Sequence, residues 1–264
     1  MKYNFIFDEG FVENFHLELS DEEIKVVFAT VLGGHNALFY GYKPERLSKA
    51  VKLFSETQNV HIEKTSNDIT LEKFCGGGSE LSKGSVSRAD GGILVMDNLN
   101  EYKSSILQML GVVLANGNIS LSRAGRNVTY PADFQLVATI NDFEHWWEKT
   151  PHIADACDIV YYCNESEHRN TYNFSELKPL FSCYRERYLR HCTFRKNGKC
   201  KTFASVNLSS CAIEQHGEVP LRIGRLAKTL SSMNTHNLVW ATDVAIAKRF
   251  IKCPPILDSN SLPY

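Results

Sequence analysis

The sequence predicts an α/β fold: a parallel sheet with helices on both faces, followed by a smaller, all-helical segment. Three observations predict it. Short, mainly apolar runs (Asn36–Tyr40, Ile93–Met96, Phe134–Ile140 and Asp158–Cys163) alternate with helical periodicity, as strands buried on both faces do. Hydrophobic residues make up 43% and charged residues 22% of 264, which supports a real core and excludes disorder as the main state. After residue 165 the strand-like runs stop and three helical patterns follow.

Each element has a local reason. Ser20-Asp-Glu-Glu23 has the spacing of a capping box and opens an apolar-periodic run (Ile24, Val27, Phe28, Val31, Leu32) that stops at Gly33-Gly34, so a helix is expected over 21–32. A buried strand over 36–40 ends at Gly41. Pro44 then permits a helix start, and Leu47, Ala50, Val51 and Phe54 carry it over 45–57. A strand follows near 59–63. Residues 76–92 are rich in Gly and Ser and read as loop. Ile93–Met96 runs into Asp97, and 102–115 is helical. Residues 118–122 and 127–130 flank Arg-Ala-Gly-Arg, a hairpin with Gly125 at the turn. Strands at 134–140 and 158–163 and helices at 175–191, 219–233 and 239–252 complete the list. The expected organisation is an acidic extension over 1–19, an α/β core over 20–170, a helical segment with a basic stretch over 171–253, and a tail over 254–264.

The net charge of −1 excludes a uniformly basic coat for nucleic acid, yet it hides an asymmetry. Residues 1–23 hold seven acids and one Lys, while 183–201 hold seven Lys or Arg and one Glu. The acidic end is expected to be a solvated extension, with docking to a basic neighbour as the alternative. No run of about eighteen apolar residues marks a membrane span, and the start lacks a signal-peptide core, so the cytoplasm is the expected compartment, with no membrane partner. The eight Cys form no C-x-x-C pair. His191, Cys192 and Cys200 are near enough to hold a metal, but reduced thiols that pack are the simpler reading.

Two polar residues sit where apolar strands end, Asp97 and Asn141, and strand carboxyl ends are where ligands bind in such sheets. The turn from Gly41 to Ser48 has the length of the phosphate-cradling pattern G-x-x-x-x-G-K-S/T. Arg46 stands at its second Gly, Leu47 at its Lys, and Glu45 adds negative charge. Lys43 is a cation that compensates only from another direction.

Those residues carry a family likeness. Gly34-His-Asn-Ala-Leu-Phe-Tyr-Gly41, the run GGGSELSKGSVSRADGGILVMDNLNE (76–101) and the run GNISLSRAGRNVTYPADFQLVATIN (117–141) resemble the magnesium-chelatase-like AAA+ ATPases, notably the bacterial competence-associated, branch-migration type. Arg225–Leu230 is similar to a helix of that family's lid. The resemblance implies a P-loop NTPase (AAA+) sheet, a helical lid, ATP and Mg²⁺ as cofactors, and a homo- or hetero-oligomeric ring. In the same register Gly41, Lys43 and Ser48 fall on the nucleotide loop, Asp97 on the Mg²⁺-associated Asp and Asn141 on the first sensor. Asn98 replaces the catalytic Glu, and losing such a base typically costs about 10²–10⁴ in rate. Ala156 replaces the arginine finger, a group worth roughly 10³–10⁵ in other phosphoryl-transfer enzymes. Glu218 stands at the second sensor, with Arg222 one turn on as a substitute.

The expectation is a pseudo-ATPase that binds a partner or DNA; the alternative is a weak ATP-binding, ATP-hydrolysing protein acting on DNA through Lys43, Ser48, Asp97 and Asn141. Arg123 and Arg126 at the hairpin turn, and the basic stretch Arg185, Arg187, Arg190, Arg195, Lys196, Lys199 and Lys201, are the candidate nucleic-acid contacts, against the simpler reading of a solvated face. Trp146-Trp147 is read first as packing, with base stacking as the alternative.

Overall fold

The computed structural model describes residues 16–141, 151–191, 221–234 and 238–251. Five parallel strands form the central sheet: β2 (Ala37–Gly41), β3 (Ile62–Thr65), β6 (Ile93–Met96), β9 (Gln135–Ile140) and β10 (Ile159–Cys163). Their spatial order is β10-β2-β9-β6-β3. The first strand therefore lies between the fourth and the fifth, and the crevice at its carboxyl end opens there, as P-loop AAA+ sheets arrange it.

Alternation along each strand divides the core. Ala37, Phe39, Ile93, Val95, Val137, Ile159 and Tyr161 join one buried cluster. Their neighbours Leu38, Tyr40, Leu94, Met96, Leu136, Ala138 and Val160 join another on the opposite face. The first cluster is covered by α1 (Asp21–Gly33), α2 (Glu45–Glu56), α7 (Phe174–His191), α8 (Leu221–Met233) and α9 (Ala241–Arg249). The second takes α3 (Leu71–Cys75), α4 (Ser85–Arg88), α5 (Ser104–Asn116) and α6 (Pro151–Ala156). Leu226, Leu230, Val244 and Phe250 are buried in the same cluster as Phe28 of α1, so the C-terminal helices share the core of the α/β unit.

The local signals act as chemistry requires. Ser20 Oγ accepts from the Glu23 amide at 3.1 Å, and Glu23 Oε2 accepts from the Ser20 amide at 2.9 Å. Gly34 closes α1 in the left-handed region at φ 61°. β7 (Asn118–Arg123) and β8 (Arg126–Pro131) pair with Arg123 opposite Arg126 across Ala124-Gly125, both at positive φ, a two-residue hairpin turn.

Several expectations shift. The stretch 76–92 is not all loop: it holds the short pair β4 (Gly76–Gly77) and β5 (Ser82–Lys83), as well as α4. The strand expected near 59–63 lies at Ile62–Thr65. The acidic extension does not stay solvated to its end. His16–Leu19 forms β1, antiparallel to β11 (Asn170–Asn173), with Leu17 and Leu19 buried. The apolar alternation of this four-residue strand is masked by acidic neighbours. β11 occupies the stretch where a domain boundary is expected.

Candidate nucleotide site

The carboxyl ends of β2, β9 and β6 are neighbours, which brings together four of the predicted residues. Asp97 follows β6 directly. Ser48, in the first turn of α2, donates its hydroxyl to Asp97 Oδ1 at 2.8 Å. Asn98 stands next in a left-handed conformation at φ 55°, one that Asn tolerates better than most residues. Its amide donates to Thr139 Oγ1 at 2.9 Å, and its side-chain oxygen accepts from Asn141 Nδ2 at 2.8 Å. Asn141, directly after β9, also donates its amide to Asn100 Oδ1 at 3.3 Å. A residue that motif matching passed over completes the set: Lys52 Nζ lies 3.4 Å from Asp97 Oδ2. Its signal was available, because Lys52 is four residues after Ser48 and shares its helix face.

The phosphate cradle is closed from within. Cradles of this kind work through free backbone N–H groups at a strand-to-helix turn. Here the Tyr42 amide donates to Cys163 O at 2.8 Å, the Arg46 amide to Lys43 O at 3.2 Å, and the Leu47 and Ser48 amides to Pro44 O at 3.1 and 3.4 Å. Pro44 has no N–H at all. The helix starts at Glu45, directly after Pro44. Lys43, at φ 46°, is exposed, with its ammonium 5.2 Å from the centre of the Tyr42 ring. Gly41, at φ 97°, is needed for space: a Cβ there would lie 2.6 Å from Cys163 O and 2.7 Å from the Tyr162 ring.

The two residues at the diagnostic positions do other work. Leu47 is 0% exposed within the core cluster of Val51 and Phe54. Arg46 turns towards β1, donating to Glu18 O at 2.6 Å and to the two Glu23 oxygens at 3.3 and 3.1 Å. Glu23, 0% exposed, is met from the other side by Arg169, at 3.2 Å. A buried carboxylate between two guanidiniums ties α1, the turn and the β10–β11 connection together. These residues fit a nucleotide triphosphate poorly: four amides of the turn are engaged, the Lys is replaced by a core Leu, and Asp97 already has a cation beside it.

Other candidates lie elsewhere. Arg222 is on α8, where its charge acts on Asp158 and Cys157 at the amino end of β10, the end of the sheet opposite Asp97. The structure therefore does not bring Arg222 to the nucleotide turn. Its Nε and Nη2 are buried with no hydrogen-bond partner among the described residues. Beside it, His35 Nδ1 is 3.1 Å from Asp158 Oδ2 and His35 Nε2 is 2.8 Å from Thr229 Oγ1, while Arg225 pairs with Asp158 Oδ1. Burial on its own would raise the Asp158 carboxyl. The His35 hydrogen bond, with the charges of His35, Arg225 and Arg222, outweighs it and holds the carboxyl below its usual range. Ala156 ends α6 on that same side, and its carbonyl accepts from Asn36 Nδ2 at 3.0 Å. Arg123 and Arg126 are exposed at the hairpin tip. Burial raises the thiols of Cys157 and Cys163 to about 12 and Cys75 to about 11. Glu218, Trp146-Trp147, Cys192, Cys200 and the basic residues at 195–201 lie outside the described residues, as do the side chains of Arg190 and His191.

Residues 47–163 match the family model described as magnesium chelatase, subunit ChlI. The uncharacterized protein YifB of Escherichia coli strain K12 is 40% identical over 72 residues, which are 27% of this chain and 14% of that protein. The competence protein ComM of Haemophilus influenzae is 41% identical over 72 residues, again 27% of this chain and 14% of the relative. The chain thus covers about one seventh of the curated relatives it matches, 14% of each. No helix among the described residues is long and apolar enough to cross a membrane.

Proposed function

We propose that this chain, whose residues 47–163 match the magnesium-chelatase family model, is a non-catalytic relative of that family: a pseudo-ATPase that keeps the AAA+ scaffold and works by binding a partner or DNA. One observation carries this reading. The turn that cradles phosphate in active relatives is closed on itself, with the Arg46, Leu47 and Ser48 amides on the carbonyls of Lys43 and Pro44 and Leu47 in the core. A missing side chain can be compensated by a neighbour, but an amide already bonded to a carbonyl is not offered to an anion, and the Tyr42, Arg46, Leu47 and Ser48 amides are all so bonded. Asn98 adds to this. An amide bonded to Asn141 cannot accept a proton from water as a carboxylate does.

What remains for function is surface. The β7–β8 hairpin presents Arg123 and Arg126 to solvent on a rigid two-stranded support, which suits contact with a phosphate backbone. In an oligomeric ring such a subunit contributes shape and contacts without turnover.

The test is ATP hydrolysis by the purified chain beside Asp97→Ala, with calorimetry of Mg²⁺·ATP binding up to millimolar ligand. The expected result is no heat and no turnover above background. Turnover that Asp97→Ala abolishes overturns the reading.

A further inference from the structure

The family likeness implies a divalent cation at Asp97, and the residues around Asp97 disagree with it. Ser48 Oγ occupies one carboxylate oxygen at 2.8 Å, and the Lys52 ammonium lies 3.4 Å from the other. Ser48 and Lys52 are one helical turn apart, so α2 aims both at one carboxylate. The Lys52 side chain is 15% exposed and that of Asp97 42%, so Lys52 is the more sheltered of the two. A doubly charged ion bound to Asp97 would face this fixed positive charge at contact distance, in a setting where charge–charge energies exceed those in bulk water. Among the described residues no group of three His, Cys, Asp or Glu suited to a metal occurs, so no cluster of acidic ligands around Asp97 offsets that repulsion.

We propose that Lys52 is the resident cation of this site. It is a tethered ammonium that neutralises Asp97 in place of Mg²⁺ and closes the Ser48–Asp97 pair to divalent ions. The inference rests on the pseudo-ATPase reading and deepens it. Charge balance at the end of β6 is supplied by the chain, so this edge of the sheet keeps one arrangement whatever the magnesium or nucleotide concentration. Lys is suited to this task as a compact point charge, whereas Arg demands a planar, bidentate partner.

The experiment uses Mn²⁺ alone, without nucleotide, followed by the electron paramagnetic resonance signal of the free ion. The full chain is compared with Asp97→Asn alone, with Lys52→Met and Lys52→Gln, which remove the charge while keeping much of the stem, and with each of these two combined with Asp97→Asn. Circular dichroism verifies the fold of each variant. The expected result is that the wild type leaves Mn²⁺ free, that either neutral variant binds it at least tenfold more tightly, and that Asp97→Asn removes the gain. Equal binding by wild type and both neutral variants overturns the proposal, as does wild-type Mn²⁺ binding that Asp97→Asn abolishes. Should one neutral variant fail to fold, the other decides. Because no nucleotide is present, failure here is distinct from failure of the pseudo-ATPase reading, which only ATP turnover refutes.

Discussion

If Leu47 is a core residue rather than a lapsed phosphate ligand, restoring the family's Lys there should damage the fold without restoring activity. Leu47 is 0% exposed and packs in the cluster that α2 shares with α1 and the sheet. Leu47→Lys removes a fully buried Leu, worth about 2–3 kcal/mol of transfer free energy. It also places an unpaired ammonium against apolar side chains, at several kcal/mol more before relief by snorkelling or deprotonation. A net loss of about 4–6 kcal/mol is expected, a large share of a typical domain stability of about 5–15 kcal/mol. At about 2–4 °C per kcal/mol for a chain of this size, the melting temperature should fall by roughly 10–20 °C. Leu47→Met, which conserves volume, should cost under about 1.5 kcal/mol. Urea unfolding followed by circular dichroism measures both. A Leu47→Lys variant within about 1 kcal/mol of wild type, or one that gains Mg²⁺·ATP binding, would show that position 47 faces the phosphate turn and would refute the argument.

Three further outcomes follow from the geometry. Glu23→Ala leaves Arg46 and Arg169 as two partly buried guanidiniums without their shared buried carboxylate, so urea unfolding should register a loss of about 3 kcal/mol; adding Arg46→Ala should cost less in that background than alone. Asp158 is held below its usual range in the fold, so it contributes stability above the unfolded value of about 3.9 and loses it as pH falls through the folded value. Unfolding free energy measured from pH 5 down to pH 2 should therefore drop more steeply in wild type than in Asp158→Asn, and parallel curves would count against the His35–Asp158–Arg225 network. If the hairpin meets nucleic acid, replacing Arg123 and Arg126 by Ala should flatten the slope of log affinity against log salt by about 0.9 for each lost phosphate contact, read by fluorescence anisotropy; an unchanged slope would place the contact elsewhere.

The scaffold was legible because its signals are local. A capping box, a Gly stop, mainly apolar strands and an Ala-Gly turn each act within a few residues, and each is satisfied in the structure. The convergence of Ser48, Asp97, Asn98 and Asn141 was legible too, since parallel topology places strand ends side by side. Long-range partners were not. Nothing near Glu23 announces Arg169, 146 residues away, and nothing in Arg222 says that α8 carries it to the amino end of β10. β1 was missed because two Leu in four residues are too short a pattern to stand against acidic neighbours. The closure of the cradle was beyond sequence reading for a different reason. A motif lists side chains, whereas phosphate is held by amides, and only coordinates show which carbonyls those amides already hold.

The surviving motif residues therefore bear a different meaning from the one they carry in an active site. Residues kept for catalysis leave their working atoms free for substrate and tolerate strain to do so. Here the Ser48 hydroxyl donates a hydrogen bond to Asp97, Lys52 pairs with Asp97, and Asn98 and Asn141 hold each other. Asn98 also sits at φ 55°, where a Glu would be less at ease. Each of these contacts joins the end of one sheet strand to the next or to α2. On the pseudo-ATPase reading these contacts are structural, and mutating them should be read in the unfolding free energy before it is read in any activity.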